Sequence, residues 1–489
     1  MLFNSIDFLV FFPIVVGILF VIPRRLRCLW LLVVSYYFYM SWNPQYAILI
    51  AVSTVITYIS GLLIEVVKGK HRKQFVVAGS LVSNLAILAV FKYANFVLQS
   101  LSVFSEHLGL GTIERRLDLL LPVGISFYTF QALSYTLDVY RGSIKAEKSI
   151  LKYALFVSFF PQLVAGPIER SGNLLSQIQE INGVKLWNFE RIRDGLLLMF
   201  WGLFQKLVIA DRASILINQV YTNYHDYGFL EILIASILFA FQIYCDFGGY
   251  TNIARGAAQV MGFNLMQNFR QPYLAFSIKD FWRRWHISLT SWFTDYIYIP
   301  LGGNRRGVLR KYINIFIVFT ISGLWHGASW HFVIWGFLHA IYQVTGDLKR
   351  KIFKRLHKNT NISKIDSFSQ KLGKILITFV LVDFAWIFFA ADSLHHSYDI
   401  IRQMFSVFQT TGIFEIGLDR GNWFMLCLGI LILLIVDIVH ERGKSIFYWV
   451  NQQTTLFRWI LYLGLMWCTI LFGIYGVGYD ASQFIYFQF

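Results

Sequence analysis

Charge is scarce in this chain. Only 14% of its 489 residues are Asp, Glu, Lys or Arg, and just 27 are acidic. A soluble protein of this length keeps roughly a quarter of its residues charged, so a string of water-soluble domains is excluded. Cysteine is scarcer still: Cys28, Cys245, Cys427 and Cys468 lie far apart and mostly inside apolar runs. They have neither metal-site spacing nor a disulfide framework, and they read as packing residues. Proline occurs 8 times, and no low-complexity linker or internal repeat divides the chain.

Apolar residues make up 56% of the sequence and aromatics 18%, with a mean hydropathy of +0.55. They gather in runs of membrane-spanning length: Leu2 to Ile22, Tyr46 to Ile64, Phe75 to Phe91, Leu119 to Val139, Gly195 to Ile217, Phe229 to Tyr244, Tyr312 to Val344, Ile375 to Ala391, Trp423 to Val439 and Trp459 to Val477. Shorter runs at Cys28 to Trp42 and Tyr153 to Val164 suit tilted, re-entrant or spanning segments. Because a crossing needs about 20 apolar residues, an all-α integral membrane protein with roughly 11–13 transmembrane and re-entrant helices is expected. A β-barrel is excluded, since the runs are unbroken and do not alternate.

A net charge of +16 could suggest nucleic acid, but the basic residues sit between the runs: RRLR (24–27), KGKHRK (68–73), RGSIKAEKSILK (141–152), RIR (191–193), NRRGVLRK (304–311), KRKIFKRLHK (349–358) and ERGK (441–444). Basic loops fix orientation, so these are expected in the cytoplasm, with no nucleic-acid partner. The segments around Asn43, at 225–231 and at 392–422 are poor in Lys and Arg and should face outward, with Arg115 and Arg116 as exceptions. No basic residue precedes the first run and three arginines follow it, so it is expected to be a retained helix that starts outside. The same parity places the tail, residues 478–489, on the outer side.

Two stretches carry the chemistry. FRQPYLAFSIKDFWRRWHISLTSWFTDYIYIPLGGNRRG (269–307) mixes aromatic and basic residues within the least plainly spanning part of the chain, about 251–311. Helices in the cytoplasmic interface of the membrane would place Trp282, Trp285 and Trp292 at headgroup level, with Arg283 and Arg284 toward lipid phosphate. The competing reading is a surface for a phosphate-rich cytosolic ligand, which a guanidinium fork suits. The second stretch, ISGLWHGASWHFVIWGFLHA (321–340), lies in a segment, 312–345, that holds His326, His331 and His339 but no charged residue through Val344. Basic flanks at both ends require it to go out and back, which places His326 near the turn, deep in the membrane. A polar group there is costly and is a functional candidate, the alternative being a histidine bonded to a neighbouring helix. Burial favours its neutral imidazole, the form a general base needs. His326 and His331 are five apart, about 140° around a helix, and no carboxylate accompanies them, so no metal site is expected. His331 and His339 read as structural. Pro167 and Glu169 of GPIER read as shaping a re-entrant turn, and Asp246 as the partner of a basic residue.

PVGISFYTFQALSYTLDVYRG (122–142), FFPQLVAGPIER (159–170), YCDFGGYTNIARGAAQVMGF (244–263), the FWRRWHIS block, GLWHGASWHFVIWGFLHA and the terminal FIYFQF occur in order over most of the chain. In these motifs the sequence resembles the membrane-bound O-acyltransferases, in the branch that includes bacterial alginate and peptidoglycan O-acetyltransferases. The resemblance implies one transmembrane domain over residues 1–489, a helical ring around a central funnel or tunnel, in a bacterial cytoplasmic membrane. It implies His326 of LWHG as the catalytic histidine and His286 of RWHIS as the second. It also implies cytosolic acetyl-CoA as donor, with Arg283, Arg284, Arg305 and Arg306 as candidates for its phosphates, and membrane lipid around the helices. The acceptor would be a cell-surface polysaccharide, such as alginate, peptidoglycan or cellulose, reached through an extracytoplasmic acetyltransferase. The tail fits Phe-x-Tyr-x-x-Phe, which also closes a small companion of the D-alanine export machinery, and this makes Tyr486 a candidate acyl acceptor. A phenol, near pKa 10, lies between a thiol and a sugar hydroxyl as a leaving group, so both transfers could run without new energy input. The alternatives are an aromatic anchor at the tail, D-alanyl-like transfer from a carrier protein, and a non-catalytic polysaccharide or lipid transporter.

Overall fold

The computed structural model describes residues 1–111, 117, 121–164, 166–356, 367–410, 412–475 and 484–485. Among them every regular element is helical. Seven helices are long and apolar enough to cross a membrane: Tyr46–Val66, Lys70–His107, Phe229–Val260, Val308–His326, Phe368–Ala390, Arg420–Glu441 and Thr455–Phe472. Two of them start on side-chain caps, Asp419 before Arg420–Glu441 and Ser367 before Phe368–Ala390. Ser367 accepts from Gln370 N at 3.3 Å while the Gln370 side chain accepts from Ser367 N at 3.0 Å, a complete capping box.

The remaining apolar runs are shortened or broken. Ile6–Val21 has 16 residues and carries Pro13. The run ending at Val139 becomes Ile125–Arg141, and the run at Tyr153 to Val164 splits into Ile150–Ser158 and Phe160–Leu163, with non-helical backbone at Phe159 between them. Pro161 sits in the first turn of the second piece, where a missing N–H costs no hydrogen bond. The run from Gly195 to Ile217 contains a π-helical segment, Phe204–Ala210.

The chain packs as two compact units. The first comprises Met1–Met199 and Thr251–Met266, together with the described Phe484 and Ile485, which are buried. Its central helix, Ile125–Arg141, is buried on nearly every side and buries Ser126, Thr129, Gln131, Ser134 and Thr136 among its apolar residues. Several buried polar groups there are paired. Gln131 Nε2 and Gln162 Nε2 both donate to Phe156 O, at 2.5 and 2.9 Å, and Tyr153 Oη donates to Thr57 Oγ1 at 2.7 Å. Glu169 of GPIER is fully buried and accepts from Met266 N at 2.5 Å and Asn173 Nδ2 at 2.7 Å. Its carboxylate thus pins a turn, the role expected of it.

The second unit comprises Phe200–Tyr250 and Gln267–Asp480. Helices Val308–His326 and Trp330–Leu356 form a hairpin, as the charge-free segment required. Glycines set its closeness: a Cβ at Gly323 would strike the carbonyl of Phe332, and one at Gly336 the carbonyl of Phe319. The two backbones therefore touch, a packing that only small residues allow. Asp246 has the basic partner expected of it. Lys206 Nζ lies 2.7 Å from Asp246 Oδ1 and 2.8 Å from Asp211 Oδ1, and all three side chains are buried.

Loops assigned to one side by charge meet in this unit. Arg284 Nη1 donates to Glu441 Oε2 at 2.6 Å, and Lys311 Nζ to Asp347 Oδ2 at 2.7 Å. Among the charge-poor loops, Gln403 Nε2 donates to Tyr227 O at 3.0 Å, and Thr410 Oγ1 donates to Glu231 Oε1 at 2.5 Å.

Candidate active site

His326 is the last residue of helix Val308–His326 and is 3% exposed. Its ring is walled by aromatics, with near-perpendicular contacts to Trp325 and Trp335 at 5.0 Å and to Phe389 at 5.2 Å between ring centroids. His286, forty positions earlier in sequence, faces it at 6.3 Å. The two histidines are brought together from separate elements of the second unit.

His286 reaches this position through unusual backbone. It caps helix Ile287–Phe293 with φ 44° and ψ 53°; only it and Gln271 have positive φ among the described non-glycine residues. Such a conformation costs on the order of 1–3 kcal/mol and persists where surrounding structure enforces it. Here Asn268 enforces it: its carbonyl accepts from Ile287 N at 2.9 Å and its side chain from Ser288 N at 3.3 Å. His286 is fully buried, and burial lowers its pKa to about 3, so the imidazole is neutral at physiological pH.

The other two histidines of the hairpin have the structural roles expected of them. His331 Nδ1 bonds Phe388 O at 2.9 Å, and His339 Nδ1 accepts from Trp282 Nε1 at 3.2 Å. Among the described residues no group of three His, Cys, Asp or Glu side chains is placed to hold a metal.

A cavity of about 390 Å³ opens among the same helices, though neither His286 nor His326 lines it. Lys279, Arg283, Lys311 and Arg350 line it, opposed by the single carboxylate of Asp347, and Trp282, Phe319 and Ser322 also form part of the lining. Ser322 is four residues before His326 on one helix, about 6 Å along its axis. The cations crowd one another: burial, then Arg283, Arg350 and Lys311, lower the pKa of Lys279. Asp347 accepts from Lys311, Tyr312 and Lys351, and these bonds outweigh its burial and bring its pKa down to about 2.

The four arginines of the basic block separate. Arg283 is exposed and lines the cavity. Arg284 is turned away, held by Glu441 and by Asp280 at 3.1 Å. Arg305 and Arg306 are exposed on the turn that includes Asn304, a lining residue, but do not themselves line the cavity. Lys279, Lys311, Arg350 and Asp347 were not singled out from the sequence. Lys311 and Arg350 lay hidden in clusters that also set orientation; the available signal was Asp347, a lone carboxylate just after the charge-free segment and spaced i,i+3 from Arg350. Tyr486 lies outside the described residues.

The sequence signature of the MBOAT, membrane-bound O-acyltransferase family, matches residues 143–366. A Pseudomonas putida protein named "Probable alginate O-acetylase AlgI" is 36% identical over 409 residues, covering 83% of this chain and 80% of the relative. A Helicobacter pylori "Peptidoglycan O-acetyltransferase" is 34% identical over 401 residues, 77% of this chain and 73% of the relative. A Bacillus subtilis "Teichoic acid D-alanyltransferase" is 28% identical over 289 residues, 56% and 70% of the two chains. Identity of this order over most of both chains, joined to the spanning helices above, shows that this multi-pass membrane protein belongs to the membrane-bound O-acyltransferase family and is an O-acyltransferase.

Proposed function

We propose that the protein moves acetyl groups from cytosolic acetyl-CoA across a bacterial cytoplasmic membrane for O-acetylation of a cell-surface or secreted polysaccharide. The observation that carries this reading is the cationic cavity, whose lining reaches Ser322, one helical turn from the buried His326. Phosphates of the donor suit Arg283, Lys279, Lys311 and Arg350, and Arg305 and Arg306 stand at the turn beside them. Arg284, committed to Glu441 and Asp280, serves to hold the basic segment in place.

In this mechanism His326 takes the proton of an attacking hydroxyl while its oxygen bonds to the thioester carbon. The carbon–sulfur bond then breaks, and the thiolate leaves and takes up a proton. Base catalysis of this kind contributes roughly 10²- to 10⁴-fold. His286, neutral and facing His326, orients the hydroxyl or returns the proton. Tyr486, on an extracytoplasmic tail at 478–489, is the proposed first acceptor. It would pass acetyl to the polysaccharide or to an extracytoplasmic acetyltransferase. The relatives named for alginate and peptidoglycan O-acetylation support a glycan acceptor. The relative named for D-alanine transfer supports a second reading, a D-alanyl-like group delivered by a carrier protein.

Purified protein in lipid nanodiscs should transfer or hydrolyse radiolabelled acetyl from acetyl-CoA, and His326→Ala should lower this at least a hundredfold while assembly is retained. Label moved only from a D-alanyl carrier would favour the second reading. Acceptor export that persists in His326→Ala without label transfer would leave a transporter. Mass spectrometry of trapped label should find acetyl on Tyr486; its absence there, with Tyr486→Phe inactive, would remove the covalent relay.

A further inference from the structure

Trp335 lies in the second turn of helix Trp330–Leu356 and is fully buried. Its indole N–H can only donate, and among the described residues it has no hydrogen-bond acceptor. The neighbouring indole shows what a satisfied one looks like here: Trp282 Nε1 donates to His339 Nδ1 at 3.2 Å. Buried donors are seldom left unmatched, because desolvating one without a partner costs stability, so a donor of this kind in a native interior calls for an explanation. Rings surround Trp335: His326 and His339 at 5.0 Å, Phe389 at 5.2 Å, Trp282 at 5.7 Å and Trp386 at 5.8 Å between centroids. None of these side chains carries an oxygen.

We propose that Trp335 Nε1–H donates a hydrogen bond to the carbonyl oxygen of the donor thioester and holds the negative charge that forms there. The inference rests on the reading of His326 as the base. As the hydroxyl oxygen bonds to the carbonyl carbon and His326 takes its proton, the carbonyl π pair moves onto oxygen. That oxygen is then an anion in a water-poor pocket, where a fixed donor stabilises it more than water could. Collapse restores the carbonyl and expels the thiolate.

Two features suit Trp335 to this task. Its ring packs near-perpendicular to that of His326, 5.0 Å away between centroids and at 84°, so base and donor lie side by side. Both residues are also locked to one frame, since Gly323 and Gly336, the latter adjacent to Trp335, bring the two hairpin backbones into contact. A donor held this way needs no rearrangement during reaction. The cavity lies close by, since the lining residue Trp282 packs directly against Trp335.

The test compares wild type, His326→Ala and Trp335→Phe in nanodiscs, with thermal melts to establish folding. Trp335→Phe should lower kcat about 10²- to 10³-fold, the usual effect of one lost oxyanion donor, with KM for acetyl-CoA within about twofold of wild type. Infrared spectra of carbonyl-¹³C acetyl-CoA bound to His326→Ala should show the thioester stretch at lower frequency than free donor, and the shift should vanish when Trp335→Phe is added. Should Trp335→Phe fail to fold, 3-benzothienylalanine at this position keeps the ring shape and removes only the N–H. Unchanged kcat, and a lowered stretch that persists with either replacement, would overturn the inference and leave the indole satisfied by water or a ring face. Wild type without transfer, or His326→Ala still active, would instead defeat the base reading beneath it.

Discussion

Adjacent arginines in the basic block separate two functions that sequence alone could not. Arg283 faces the cavity, whereas Arg284 is spent on Glu441 and Asp280. Arg283→Ala is expected to raise KM for acetyl-CoA roughly tenfold, the value of one charge-assisted bond, with a weaker salt dependence and an unchanged melting temperature. Arg284→Ala is expected to do the reverse, costing about 2 kcal/mol of stability in denaturation of the purified protein and leaving KM nearly intact. His286 gives a pH signature. Its pKa is near 3 when folded against 6.5 for a free imidazole, so the unfolded chain binds the proton first. Its contribution to stability is complete above pH 6.5 and is lost as pH falls from there toward 3. Melting curves at pH 5 and 7.5 should separate by more in wild type than in His286→Asn. The sequence named both histidines through their motifs and the structure brings their rings together, but the cations of the cavity stayed hidden because a basic loop residue looks the same whether it orients a helix or holds a phosphate.

At the scale of elements, the hairpin that carries His326 depends on glycines that differ sharply in surroundings. A Cβ at Gly336 would collide with the Phe319 carbonyl, whereas one at Gly346, farther along the same helix, meets nothing within 4 Å. Gly336→Ala must push the two helices apart; it is expected to cost about 1–3 kcal/mol and to lower kcat by displacing Trp335 relative to His326. Gly346→Ala is expected to stabilise by about 0.5–1 kcal/mol through helix propensity, with kcat unchanged. Chemical denaturation and steady-state rates on the pair check both. The hairpin was legible because a charge-free run of its length between two basic clusters has to turn back. The breaks at Phe159 and along Phe204–Ala210 were not, since hydropathy measures the run and is blind to hydrogen-bond register within it. Composition likewise cannot distinguish a lipid-facing run from one buried inside the protein, which is why Ile125–Arg141 looked like a crossing of ordinary kind.

At the scale of the whole molecule, the net charge of +16 is best understood as orientation. Within the second unit the ion pair of Arg284 with Glu441 joins two segments assigned to the cytoplasm, and the bond from Gln403 to Tyr227 joins two assigned outside. Helices such as Phe368–Ala390 and Arg420–Glu441, of 23 and 22 residues, are each about 33 Å long, enough to separate those sets across a hydrocarbon core. The sidedness can be read in cells after the four native cysteines are replaced. His395→Cys, at a side chain 86% exposed, should react with an impermeant maleimide in intact spheroplasts. Lys349→Cys, also exposed, should react only after permeabilisation. Gln488→Cys should follow His395→Cys if residues 478–489 lie outside, as the charge pattern of the loops leads one to expect. Labelling of Gln488→Cys only after permeabilisation would strand Tyr486 on the donor side, where an acetylated phenol could not hand its group outward, and the acceptor hydroxyl would then have to reach His326 itself.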